Sequence, residues 1–70
     1  MLEELKNLLR KADFEPFRLV LLNGQQFDVD NPTMLVIYEY ARYAFFAERA
    51  GQWAMFPLSA ICTLQSLIDF

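Results

Sequence analysis

The chain has 70 residues, a formal net charge of −3, one cysteine and no histidine, and 56% of it is hydrophobic and 16% aromatic. That length allows a single domain over residues 1–70, and a fold this small has trouble hiding so much apolar material. An internal disulfide is excluded, a histidine-based metal site or nucleophile–base pair is excluded, and no Cys-x-x-Cys redox pair exists.

Residues 2–12 predict a helix. Leu2, Leu5, Leu8, Leu9 and Ala12 recur at helical spacing, with Glu3 and Glu4 in the first turn and Arg10 and Lys11 in the last, as the helix dipole favours. The start, MLEELKNLL, is acidic and amphipathic, unlike a secretory signal. Asp13 begins a break and Pro16 cannot continue a helix. A hairpin is expected over residues 17–30. FRLVLL forms the first strand, Asn23-Gly24 suits a type I′ turn, and QQFDVD alternates, with Phe27 and Val29 on one face and Gln26, Asp28 and Asp30 on the other.

Residues 31–50 read in two ways. Asn31 as N-cap, Pro32 at the first helical position, alanines at 41, 44, 47 and 50, and Gly51 as a stop describe one helix. The β-branched and aromatic residues from Met34 to Tyr40 describe instead two strands, about 34–40 and 43–49, joined near Ala41-Arg42. Beyond them, Pro57 lacks an amide hydrogen and belongs at a sheet edge or a bend, which is expected around Pro57–Ser59. Residues 52–58 and 60–65 are the last candidates, with AICTLQ as the closing strand, so further strands run through 34–65.

Two resemblances bear on this choice. The order of a helix, then FRLVLLNGQQFDV, then a short terminal AICTL resembles the Sm-like fold of the bacterial RNA chaperone Hfq, an N-terminal helix before a strongly bent five-stranded barrel that assembles into rings. The stretch FEPFRLVLLNGQQFDVDNP is also similar to a group of small uncharacterised bacterial proteins with a P-F-x-P-F-like entry, a D/N-G turn, an F-x-V strand and a following proline. Here Asp13 replaces the first proline and Phe14, Pro16 and Phe17 remain. In that group the region after the proline is read as strands, which favours the β reading of 31–50. The implied fold class is α+β, mostly β: an N-terminal helix and a small bent antiparallel barrel of five strands, Sm-like or SH3-like. The uridine-binding rim of Hfq falls on Phe56, Pro57 and Leu58. Of these only Phe56 could stack on a base, while proline and leucine donate nothing to a phosphate.

Among candidate sites, Cys62 lies in an apolar strand and reads as a small buried hydrophobe. Asp28 and Asp30, with Asp13 or Glu15, offer oxygen ligands to a hard cation or a glycosidase-like carboxylate pair, but alternate charges on a solvated hairpin face explain them as well. Tyr38, Tyr40, Tyr43, Phe45, Phe46, Trp53 and Phe56 crowd the second half, and Tyr40, Tyr43, Phe46, Trp53 and Phe56 are the candidates for an interface or for base stacking. The six basic residues are scattered, which disfavours RNA as a partner. Without disulfide or metal, contact with further copies through strand edges and aromatics is the expected way to cover the apolar surplus. The expectation is therefore a cytoplasmic, non-enzymatic, self-associating module without cofactor. A divergent Sm-like RNA-binding ring is the alternative, and no stretch is long enough to span a membrane.

Overall fold

A computed structural model describes residues 1–48 and 51–68. The described residues form one α-helix and six strands, paired as two three-stranded antiparallel sheets. Helix α1 spans Leu2–Arg10, and the strands are β1 (Phe17–Leu21), β2 (Gln26–Val29), β3 (Leu35–Tyr38), β4 (Tyr43–Ala47), β5 (Trp53–Pro57) and β6 (Ile61–Ser66). One sheet has the order β2-β1-β6 and the other β3-β4-β5. The expected bent five-stranded barrel is therefore corrected to two separate sheets with six strands. The 3-10 turns Pro32–Met34 and Leu58–Ala60 separate β2 from β3 and β5 from β6, so the sheets do not join, and both Trp53–Pro57 and Ile61–Ser66 are strands, which makes six. At the first of these turns the Asn31 side chain accepts the Thr33 amide. Residues 31–48 are strand and turn rather than one helix.

The β1–β2 hairpin forms, but its turn differs from the type I′ expectation. The Gly24 amide donates to the Leu21 carbonyl and the Leu21 amide to the Gln25 carbonyl, and only Gly24, at φ +91°, is left-handed. This is the three-residue loop in which a type I turn is followed by a glycine bulge. The Asn23 carboxamide oxygen accepts the Gln25 amide, so asparagine serves here as a local cap rather than as a left-handed residue. The β4–β5 connection repeats the bonding: Gly51 donates to Glu48, Glu48 donates to Gln52, and Gly51 has φ +86°. Gly51 thus closes a hairpin instead of stopping a helix.

β6 contains the second departure. It pairs with β1 as Val20↔Thr63 and Leu21↔Ile61, which leaves Cys62 as an extra residue in a bulge. The bulge breaks the alternation, and Cys62 is exposed instead of buried. Ile61 stays in the core and Leu64, opposite Leu19, packs against it.

The core fills the space between the sheets with Phe17, Leu19, Leu21, Val29, Leu35, Ala44, Phe46, Phe56 and Ile61. Phe27 of β2 joins the two layers. Its ring lies 5.1 Å from Phe46 and 5.3 Å, stacked, from Phe56. Helix α1 ends at Arg10, before the predicted Ala12, because Lys11 turns to extended backbone on the way to Pro16. It sends Leu5 fully into the core. Leu8 lines a cleft with Leu64 of β6, and Leu9 lines another with Ile37 of β3, so the helix lies between these two strands. Lys6 adds an ion pair to Glu39, just past β3.

Two predictions follow from this packing. Leu5→Ala removes the only helix side chain that is wholly buried and should cost about 2–5 kcal/mol, much of what so small a domain has. Chemical denaturation checks this, and a loss under 1 kcal/mol would mean that α1 is not integral to the core. The second concerns acid. Arg18 Nε donates to Asp28 Oδ1 at 2.8 Å, and this hydrogen bond, with the guanidinium charge, holds Asp28 below the usual carboxylate range. Lys6 does the same to Glu39. Both carboxyls have lower pKa values folded than unfolded. Their contribution is therefore complete above the unfolded values, about 4, and is lost as pH falls through the folded ones. Melting temperature should be flat from pH 7 to about 5 and fall below about 4, and Asp28→Asn should remove part of that fall with a small effect.

Candidate interaction face

The sheet β3-β4-β5 has two faces, and strand register assigns each residue to one of them. On the inner face, Leu35, Ala44, Phe46 and Phe56 are core. On the outer face the paired positions form three rows. Tyr38, Tyr43 and Pro57 are the first, Val36, Phe45 and Met55 the second, and Ala47 and Trp53 the third. None of these eight residues carries a charge. Trp53 is 66% exposed, Met55 58% and Tyr38 54%, and Val36 and Tyr43 are also open to solvent. Phe45 lies at the centre with its ring stacked on Trp53 at 5.7 Å.

The other sheet has a different outer face. Arg18 and Asp28 are paired across β1 and β2, and Gln26, Thr63 and Gln65 surround them in the register, with Val20 as the apolar member. An antiparallel sheet with one wet face should alternate apolar and polar residues. The sheet β2-β1-β6 does so, whereas β3-β4-β5 is apolar on both sides.

The five candidate aromatics separate accordingly. Tyr43 and Trp53 belong to the outer face. Tyr40 stands fully exposed in the β3–β4 turn, next to Arg42, which takes a left-handed φ of 59°. Phe46 and Phe56 are 2% and 4% exposed and belong to the core, where they meet Phe27 rather than solvent. Val36, Tyr38, Phe45, Ala47, Met55 and Pro57 complete the face and were outside the five. The signal that finds them is alternation within each strand, which puts 43, 45 and 47 of β4 on one face, together with their registered partners, 36 and 38 of β3 and 53, 55 and 57 of β5. A shallow groove continues the face past Tyr43 and Pro57, lined also by Leu2, Arg42, Leu58 and Ser59.

Of the four carboxylates expected as cation ligands, Asp28 is paired with Arg18 and Glu15 with Lys11 at 3.1 Å. Among the described residues, no three side chains of metal-ligating type converge, and no helix is long and apolar enough to cross a membrane. No family model, curated protein or solved structure matches the chain.

The exposed indole gives a direct readout of the face. Trp53 emission should be that of a solvated indole at low concentration and should move to shorter wavelength as concentration rises, if the face becomes covered. Emission that is independent of concentration over the micromolar to millimolar range would argue against coverage.

Proposed function

We propose that this chain is a non-enzymatic interaction module that associates with copies of itself through the outer face of β3-β4-β5. The observation that supports it is the uncharged, aromatic-rich character of that whole face in a protein whose other sheet is ordinarily polar. At about 150–250 Å² per aromatic side chain, the exposed parts of the face amount to roughly 600 Å². That is the upper end of the patches monomers leave open, about 300–600 Å², and approaches the ~800 Å² per partner of a standard interface. A second copy suits such a face because neither surface brings a charge that must be stripped of water without a partner.

Pro57 favours association by face over association by edge at β5. It ends an edge strand, and its missing amide hydrogen removes a donor from any strand added there. An RNA-binding ring has less support. Among the described residues, Lys6, Lys11 and Arg18 are each engaged in an ion pair, and Arg10 and Arg42 are the cations without one. Phosphate binding draws its affinity from several such cations. The exposed, unbridged Cys62 suits a reducing compartment such as the cytoplasm.

The test is the oligomeric state of the wild type against Trp53→Glu/Met55→Lys, measured by sedimentation equilibrium. Both substitutions lie on the open face and leave the core alone, so melting of the diluted protein should change little. The wild type should dimerise at micromolar to high micromolar concentration, and the variant should dimerise at least a hundredfold more weakly. A wild type that remains monomeric at high micromolar concentration overturns the proposal, as does a variant that associates equally well.

A further inference from the structure

We infer that the second copy on this face sits antiparallel to the first, related by a two-fold axis that crosses β4 at Phe45, at right angles to the strands. This rests on the self-association proposed above and adds its geometry. Side-chain volumes at the registered positions decide the arrangement. Phe45 is the centre of the grid, with Val36 and Met55 beside it in one row, Tyr43 and Pro57 above, and Ala47 and Trp53 below.

Two sheets packed face to face with their strands roughly aligned admit two simple two-fold axes within the interface. An axis across the strands lays each strand over its own copy and reverses it end for end. Tyr43 then faces Ala47 of the second copy, and Pro57 faces Trp53 of the second copy, each contact occurring twice. A large ring meets a small methyl group, and a compact proline ring meets the broad indole. Val36 meets Val36, Phe45 meets Phe45 and the adaptable Met55 meets Met55 on the axis row. An axis along the strands keeps the Phe45 contact but loses the size match at the ends of β4. It sets β3 over β5, Tyr43 against Tyr43 and Ala47 against Ala47, which gives a collision at one end of β4 and a void at the other. Close-packed interfaces require large against small, so the antiparallel arrangement is the one that fills.

Both the outer face and its arrangement can be read from cross-linking. In a Cys62→Ser background, Val36→Cys and Met55→Cys are prepared separately and treated with a bismaleimide that spans roughly the 10 Å between packed sheets. Each variant alone should give cross-linked dimers. Cross-links that appear only when the two variants are mixed overturn the antiparallel arrangement and leave self-association standing. Absence of any cross-link from a protein that also sediments as a monomer overturns both. A second pair of variants tests the size match without chemistry. Ala47→Phe should weaken dimerisation at least tenfold, and adding Tyr43→Ala should restore it to within a fewfold of wild type. Failure of that restoration in a folded double variant contradicts the placement of Tyr43 over Ala47.

Discussion

β4 is apolar on both faces, and the rest of the structure is arranged around that fact. Ala44 and Phe46 point into the space between the sheets, while Tyr43, Phe45 and Ala47 point away from it. A strand with water on one side normally alternates in character, and one that does not is normally covered twice. The chain supplies one cover: Phe27 stacks on Phe56 and packs at a tilt against Phe46, and Leu5 of the helix closes the core. For the other side the described residues supply none. The flanking strands extend the mismatch, because Val36 and Tyr38 of β3 and Trp53, Met55 and Pro57 of β5 present the same uncharged surface.

The two sheets answer the same problem in opposite ways. In β2-β1-β6 the outward positions carry an ion pair and amides, and the hydration of those groups makes the face stable in water. In β3-β4-β5 the outward side chains are uncharged, and apart from the Tyr38 and Tyr43 hydroxyls they gain by leaving water. With one cysteine and no metal-ligating cluster among the described residues, the fold holds no covalent or coordinate staple to offset that exposure. Contact with a like face is a physical solution open to it without desolvating a charge.

Much of this was legible in the residues. Periodicity located the helix, and alternation located the hairpin and the side on which Phe27 and Val29 lie. The apolar surplus pointed to a surface rather than to a larger core. What escaped depended on single backbone positions. Asn23-Gly24 is equally compatible with a two-residue and a three-residue loop, and the hydrogen bonds of Leu21 choose the latter. Cys62 sits among apolar neighbours, and only the pairing of β6 with β1 reveals that it occupies a bulge. Tyr40, Tyr43, Phe46, Trp53 and Phe56 look alike in composition, yet parity sends two to the core, two to the open face and one to a turn. Residues 31–48 carry both helical and strand signals, and their long-range partners Met55 and Phe56 decide between them, which no local window contains.

The central claim is that the uncharged outer face of β3-β4-β5, and no other surface, becomes buried when two chains meet. Concentration-dependent NMR of the wild-type protein tests this most directly, because it reports every residue at once. The account predicts chemical-shift changes with rising concentration at Val36, Tyr38, Tyr43, Phe45, Trp53 and Met55, while Arg18, Gln26, Asp28 and Gln65 stay fixed. Spectra that do not change up to millimolar concentration, or changes that gather on β1, β2 and β6, would contradict it.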